Sequence, residues 1–275
     1  MQTQLVTIET ETTPLDGAFY MPDREVVGSA LLLHGNTMNF YVGAPRFLPP
    51  VLTELGFACL AFNRRGHDIL SIRSSFEPEG AAFQLTREGI EDNKHAARWL
   101  ADRGFLSPVI IGHSNGGMLG VQHACGHPQT PALILLSAHR GGDSAIEGQR
   151  KRGLLAGRRF EEVEAQARSL IAEGRGRELM LVPGWWYAIS AESFLDRLST
   201  MPDILELAPR VSCPILFIRG DQEPGHVIPA EEFATRSRMK CDVEVIPQCD
   251  HFYVAKEQEI CRIVANWLKR RFDLV

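Results

Sequence analysis

The pentapeptide GHSNG (112–116) follows the apolar run SPVII (107–111) and precedes GMLGVQHACG (117–126). A G-x-S-x-G pattern between a strand and a helix indicates a serine in a tight, strained turn, with its hydroxyl above the carboxyl edge of a sheet. The two glycines leave room that side chains would fill. The Asn115 amide lies at the start of the helix, where negative charge is favoured. The stretch predicts that Ser114 is a nucleophile; the alternative is an ordinary Gly-rich turn with a serine N-cap.

Short apolar runs recur along the chain with helical patterns between them, which is typical of parallel strands buried on both faces. Two N-terminal runs, LVTIET (5–10) and GAFYMP (17–22), predict an antiparallel edge pair. We therefore predict an α/β fold with a mostly parallel eight-stranded sheet and helices on both faces. The other six predicted strands are SALLLHG (29–35), FACLAFN (57–63), SPVIIGH (107–113), PALILLS (131–137), CPILFIR (213–219) and CDVEVIP (241–247).

Residues 139–205 interrupt this alternation. They show no convincing strand pattern but contain an amphipathic helical stretch, RRFEEVEAQARSLIAEG (158–174). Segments of this size inserted between the strands of a sheet usually have a function. We therefore predict a core formed by residues 1–138 and 206–275, with a helical cap at 139–205.

Composition limits the partners. A net charge of −5 and a pI near 6.0 give no electrostatic reason to expect nucleic acid. No apolar stretch approaches a membrane span, and the N-terminal residues lack the pattern of a secretion signal. The six cysteines form no CxxC pair, which favours reduced thiols over disulfides or a metal site. We expect a cytoplasmic protein with a small-molecule substrate and with no metal or organic cofactor; a homo-oligomer stays open.

A nucleophilic serine needs a base, and imidazole is suited to this near neutral pH. His251 follows the last predicted strand, so its loop opens on the same sheet edge as Ser114. His226 is the main competitor. A carboxylate must then orient the imidazole, and the loop after the preceding strand offers Asp221 and Glu223.

Two further loops follow strands at this edge. LLLHGN (31–36) places the amide of Asn36 where it can bind an oxyanion together with the amide of Asn115. Because that role belongs to the backbone, the side chain of Asn115 is expected to matter little. In the next loop, Arg64 or Arg65 is expected to have a structural role, bonding neighbouring loops.

Taken together, five motifs resemble the α/β-hydrolase fold family in its serine-nucleophile, esterase/lipase-like form, from about residue 5 to 272. In that family the acid commonly stands three residues after the glycine that closes its strand, which here is Glu223. Aspartate is commoner there; Asp221 is the alternative and Asp250 a weaker one. The resemblance also argues against dehalogenases and epoxide hydrolases, which carry Asp at the position of Ser114. The motifs are HGN (34–36), NRRGHD (63–68), GHSNGG (112–117), IRGDQE (218–223) and CDHF (249–252).

The resemblance implies hydrolysis of an ester-type bond through an acyl-enzyme, by a Ser–Glu–His triad. A carboxylic ester or lactone of a small to medium, largely apolar molecule is the expected substrate. A carbon–carbon bond hydrolase, thioesterase or amidase would use the same triad, and a ligand receptor without turnover is the alternative from another class. Four aromatic residues are candidates for lining an apolar pocket, although they also suit packing of the cap: Trp185, Trp186, Tyr187 and Phe252.

Overall fold

The computed structural model describes residues 1–72, 76–184 and 188–274. Its strands are β1 (Gln2–Ile8), β2 (Leu15–Met21), β3 (Gly28–Leu33), β4 (Phe57–Phe62), β5 (Ser71–Ile72), β6 (Pro78–Glu79), β7 (Val109–His113), β8 (Leu133–Leu136), β9 (Leu179–Leu181), β10 (Ala188–Ser190), β11 (Ile215–Gly220) and β12 (Cys241–Ile246). Its α-helices are α1 (Ala44–Glu54), α2 (Thr86–Ala101), α3 (Asn115–Gly126), α4 (Gly142–Lys151), α5 (Phe160–Ala172), α6 (Ala191–Ser199), α7 (Ile204–Leu207), α8 (Ala230–Arg236) and α9 (Glu257–Phe272).

Eight strands form one sheet in the order β1-β2-β4-β3-β7-β8-β11-β12. The pairs β1–β2 and β2–β4 are antiparallel, and the remaining pairs are parallel. The predicted α/β class and mostly parallel eight-stranded sheet are confirmed. Leu33 at the end of β3 is in register with Gly112 near the end of β7. The loops that follow these two central strands therefore meet at one edge of the sheet.

Both faces of the sheet are buried, and this explains the continuous apolar runs. In β3, Leu31 and Leu33 pack into one core beside α2 and α3, whereas Ala30 and Leu32 pack into the other beside α1 and α9. Each buried leucine stabilises the fold by roughly 1.5–3 kcal/mol. The last strand differs, because β12 lies at one edge of the sheet and its residue Val245 is exposed.

The segment between β8 and α7 contains α4, α5, α6 and the antiparallel pair β9–β10. Although residues 139–205 show no convincing strand pattern in the sequence, the segment therefore contains two strands. These strands have three residues each. β9 lies in the apolar run LMLV (179–182), but a run this short does not distinguish a strand from part of a helix. The expected helix is present as α5. The segment has a hydrophobic cluster of its own, which includes Phe160, Val163, Leu170, Met180, Ile189 and Phe194.

The segment is anchored to the core through the loop before α2. Asp196 of α6 accepts a hydrogen bond from the backbone amide of Thr86 at 2.7 Å, and the Ser193 hydroxyl donates to the Gln84 carbonyl at 2.9 Å. Ser190 donates from its backbone to Ala82 at 2.8 Å. These contacts hold α6 and the residue before it against the core.

All six cysteines are free thiols. Within the described ranges, no three His, Cys, Asp or Glu side chains lie close enough together to hold a metal ion. None of the helices in the same ranges combines the length and the apolar content that crossing a bilayer requires.

Candidate active site

Ser114 occupies the turn between β7 and α3 with φ 55° and ψ −120°, a backbone conformation that costs a serine roughly 1–3 kcal/mol. The flanking glycines make this turn sterically feasible. A Cβ on Gly112 would stand 2.4 Å from the Gly116 carbonyl oxygen, and one on Gly116 would stand 2.3 Å from that of Leu33. The Ser114 amide donates to the Leu136 carbonyl at 2.9 Å, which ties the turn to β8.

His251 lies between the serine and a carboxylate. Its Nε2 is 2.9 Å from Ser114 Oγ, and its Nδ1 is 2.6 Å from Glu223 Oε1. Because an ionised carboxylate only accepts hydrogen bonds, we assign the ring proton to Nδ1, which leaves Nε2 free to accept the serine proton. The backbone carbonyl of His251 accepts a bond from His113 Nε2 at 2.8 Å, which fixes the loop.

Glu223 is buried, with 7% of its surface exposed. Its second oxygen, Oε2, accepts bonds from the Ser137 hydroxyl at 2.6 Å and the Gly220 amide at 2.8 Å. Burial alone raises the pKa of Glu223, but the bonds from His251 and Ser137 outweigh it and hold that pKa below its ordinary value. The carboxylate is therefore ionised at neutral pH.

A second layer of bonds stands behind this carboxylate. The Ser137 hydroxyl lies 2.7 Å from the phenol of Tyr253, which lies 3.2 Å from the Ile218 carbonyl. Since Ser137 donates its one proton to Glu223, the single phenol proton of Tyr253 has two acceptors within reach, Ser137 Oγ and the Ile218 carbonyl oxygen. Sequence reasoning missed both residues. Their only signals are that Ser137 ends a predicted strand and that Tyr253 lies two positions after His251.

The alternative acids and base are engaged elsewhere or exposed. Asp221 is exposed and its Oδ1 accepts from the Cys249 amide at 3.2 Å. Asp250 accepts from the backbone amide of Phe252 at 3.0 Å. His226 is an exposed residue of the loop after β11. Each of these side chains is thus on the surface or used to shape a loop.

The two predicted oxyanion residues, Asn36 and Asn115, line one cavity of about 30 Å³, which has room for about one or two water molecules. Across the described part of the chain, neither backbone amide donates to a protein acceptor. Both are thus available to a ligand. The other lining residues are Gln84, Thr86, Met118, Leu119, Asp196, Arg197 and Met201.

Arg64 lies behind these two residues, with 1% of its surface exposed. Its guanidinium donates to Asn115 Oδ1 at 3.1 Å and to the His34 carbonyl. Burial lowers the pKa of Arg64 to about 10, so the group stays charged at neutral pH. Arg65 instead pairs with Asp92 at 2.7 Å. Arg64 therefore has the expected role of bonding neighbouring loops, and the Asn115 side chain accepts one of these bonds.

Buried His113 and half-buried His139 lie near His251. Burial first, and then the charge of His251, lower the pKa of His113 and of His139 to about 4. The His139 amide also donates to the Ser114 carbonyl at 3.2 Å. Because both rings are neutral at neutral pH, they add no positive charge beside a protonated His251.

Of the predicted pocket residues, only Phe252 falls where the structure can be described. Its ring packs edge-on against His251 with centroids 5.2 Å apart, and 58% of its surface is exposed. The other three, Trp185, Trp186 and Tyr187, lie outside the described residues.

Comparison with known proteins agrees with this architecture. The model of the α/β hydrolase family matches residues 30–263. A search of curated sequences finds no significant match. Among solved structures, Est1E from Butyrivibrio proteoclasticus aligns over 98% of this chain and 99% of its own, with a TM-score of 0.71 and 18% identity. The α/β hydrolase GrgF from Penicillium sp. sh18 aligns over 99% and 100%, with a TM-score of 0.75 and 14% identity. A thermostable carboxyl esterase from Bacillus coagulans aligns over 99% of both chains, with a TM-score of 0.71 and 17% identity.

At these identities the structural neighbours show the fold alone, but the family match spans most of the chain and includes every strand from β4 to β12. The loops that carry Ser114, Glu223 and His251 all fall within it. This chain belongs to the α/β hydrolase family.

Proposed function

We propose that the protein is a serine hydrolase that cleaves an ester-type acyl bond through an acyl-enzyme. Ser114 is the nucleophile, His251 the base and Glu223 the acid that orients it. The observation that carries this proposal is the continuous pair of bonds, 2.9 Å from Ser114 Oγ to His251 Nε2 and 2.6 Å from His251 Nδ1 to Glu223 Oε1. This is the geometry that nucleophilic catalysis by a hydroxyl requires.

Acylation follows from these positions. As Ser114 Oγ bonds to the substrate carbonyl carbon, His251 Nε2 takes the hydroxyl proton and the carbonyl electron pair moves onto oxygen. The amides of Asn36 and Asn115 bind that oxyanion; loss of one such donor typically costs about 100- to 1,000-fold in kcat. The carbonyl re-forms, the bond to the leaving alcohol breaks, and the alcohol oxygen takes the proton from His251.

Deacylation repeats the sequence with water. His251 accepts a proton from water as its oxygen bonds to the acyl carbon, and Ser114 leaves with that proton to restore the free hydroxyl. Glu223 remains ionised throughout and stabilises the imidazolium formed in each half. His113 and His139 are neutral, so neither ring repels the positive charge that forms on His251 in this step.

We assign substrate selection to a cap formed by residues 139–205. Its separate hydrophobic cluster and the α6 contacts with the core support this assignment. Asp196, Arg197 and Met201 of this region line the cavity that Asn36 and Asn115 share. A carboxylic ester or lactone of small to medium, largely apolar character is the proposed substrate. The Bacillus coagulans neighbour, which is described as a carboxyl esterase, supports an ester.

A fluorophosphonate probe and a set of p-nitrophenyl esters of graded chain length test the proposal. We expect the intact mass to rise by one adduct at Ser114 and ester turnover to be lost in Ser114→Ala. Ser212→Ala, at an exposed serine, is the matched control and should behave as wild type. Absence of both labelling and turnover in folded wild-type protein would overturn the proposal and favour the alternative, a ligand receptor without turnover. If the probe labels Ser114 but only diketones, thioesters or amides are turned over, that class of compound would replace the ester as the proposed substrate.

A further inference from the structure

We infer that Arg64 is a positioning residue that joins the two oxyanion loops into one unit. These loops are the segment 34–36 after β3 and the turn 114–115 after β7. The inference rests on the proposed function, because it concerns the geometry in which the two loop amides meet the substrate oxygen. It also gives the Asn115 side chain a function that its backbone role does not require.

The contacts of Arg64 reach both loops from a third one. One guanidinium nitrogen donates to Asn115 Oδ1 at 3.1 Å, and the other donates to the His34 carbonyl. The Arg64 backbone amide donates to His34 Nε2 at 3.1 Å, and His34 Nδ1 bonds the Gly35 carbonyl at 2.7 Å. His34 is therefore held at its ring and at its carbonyl by the same residue.

These contacts select one state of His34. A backbone amide only donates, so the Nε2 that receives it carries no proton, and the proton of the neutral ring lies on Nδ1. Burial first, and then the nearby charge of Arg64, lower the pKa of His34 well below its ordinary value. The ring is thus neutral, and its bonds to Arg64 and Gly35 are both satisfied.

The choice of an arginine follows from the same geometry. A planar guanidinium can donate two bonds in fixed directions at once, whereas a lysine ammonium is a compact charge on a flexible stem. Neither acceptor of the guanidinium is charged, and its Nε, within the described residues, has no acceptor. The nearby charge of Asp92, which pairs with Arg65, favours the charged form of Arg64 without contacting it. A buried cation without a contacting carboxylate is costly. It lies, however, beside the two residues whose amides would receive a developing negative oxygen.

The consequence for catalysis is geometric. Two amides from different strands must converge on one oxygen, and displacements of about 1 Å in such sites cost about 100-fold in rate. β3 and β7 align the loops only up to the ends of the strands, at the Leu33–Gly112 pair. Beyond that point the Arg64 fork hydrogen-bonds both His34 and Asn115.

The test compares Arg64→Lys and Asn115→Ala with wild type. Asn115→Ala keeps every backbone N–H, yet we expect kcat to fall at least about tenfold with KM little changed; for Arg64→Lys we expect about 100-fold. The rate of fluorophosphonate labelling and the affinity for a trifluoromethyl ketone, whose adduct bears an oxyanion, should fall by similar factors. Arg65→Lys is the matched control, because Arg65 contacts Asp92 and not the oxyanion loops; it should lower stability and leave kcat near wild type.

The outcomes separate the two proposals. If wild type neither reacts with the probe nor turns over an ester, the proposed function fails and the inference fails with it. If wild type reacts and Asn115→Ala matches it in kcat, labelling rate and ketone affinity, the inference is overturned while the function stands. Should Arg64→Lys not fold, Asn115→Ala decides alone, because that side chain is only half-buried at the first turn of α3.

Discussion

Removing the Ser137 hydroxyl should weaken the site at its buried carboxylate. In Ser137→Ala, Glu223 Oε2 loses the 2.6 Å bond and keeps only the Gly220 amide at 2.8 Å. A hydrogen bond to a charged group contributes about 1.5–3 kcal/mol, so we expect the free energy of unfolding at pH 7 to fall by about that amount. We also expect kcat to fall about tenfold, because Glu223 then orients His251 less firmly.

The way this stability difference changes with pH follows from the pKa of Glu223. The folded-state pKa of Glu223 lies below its ordinary value, so its ionised form adds stability above the unfolded pKa, and that contribution is lost as pH falls through the folded pKa. Loss of the Ser137 bond raises the folded pKa of Glu223. The difference in stability between wild type and Ser137→Ala should therefore be largest at neutral pH and shrink as the solution is acidified.

Urea unfolding of wild type, Ser137→Ala, Glu223→Gln and the double variant measures the coupling between the two residues. A coupling of at least about 1 kcal/mol is expected for a charge-assisted bond. Tyr253→Phe should lose about 1 kcal/mol, since it removes the one neutral bond that the phenol donates. A coupling within about 0.3 kcal/mol of zero at pH 7 would refute the reasoning.

Three further predictions follow from the same geometry. Glu223→Gln should lower kcat by about 1,000-fold or more, because a neutral amide no longer fixes the His251 tautomer, whereas Asp221→Asn should retain activity in a p-nitrophenyl ester assay. Gly116→Ala should abolish folding or labelling, because its Cβ would lie 2.3 Å from a backbone oxygen. Gly126→Ala in the same helix has no neighbour within 4 Å and should unfold in urea as wild type or slightly later. Stability should fall as the pH is lowered from 6.5 to 4, because unfolded His113 takes a proton near 6.5 and folded His113 only near 4; this residue accounts for about 3 kcal/mol of the loss, and His139 adds to it. Urea midpoints across that range measure the fall.

Opposite results would be equally clear. Activity lost in Asp221→Asn but kept in Glu223→Gln would move the acid to Asp221. A folded, labelled Gly116→Ala protein would mean that the backbone at this turn can move apart. A stability that stays flat between pH 6.5 and 4, or rises on acidification, would show that His113 gains no protection from protonation on folding.

Sequence reasoning predicted those elements that have a clear local pattern of apolar residues. β3 and β7 are buried on both faces, so each forms a continuous apolar run. The pair β9–β10 was missed because each strand has only three residues, and an apolar run as short as LMLV (179–182) does not by itself indicate a strand. Chain order and the spacing of known motifs pointed to Ser114 and His251.

The remaining features of the site depend on contacts between distant positions. Glu223 and Asp221 share a loop, and only the folded backbone brings Glu223 within 2.6 Å of His251 while Asp221 bonds Cys249. Ser137 and Glu223 are 86 positions apart, and Arg64 and Asn115 are 51 apart. No periodicity marks such pairs, because each is created by the register of different strands.

The placement of the site on several parallel strands also sets when it forms during folding. Ser114 and His251 are separated by 137 positions, and the loops that bring them together close only when β7, β8, β11 and β12 are side by side. Contacts of such long sequence separation form late, because a large loop entropy is lost before they are made. Helical circular dichroism should therefore return earlier than activity in the p-nitrophenyl ester assay after dilution from urea. In a refolding experiment, turnover would report on completion of the sheet.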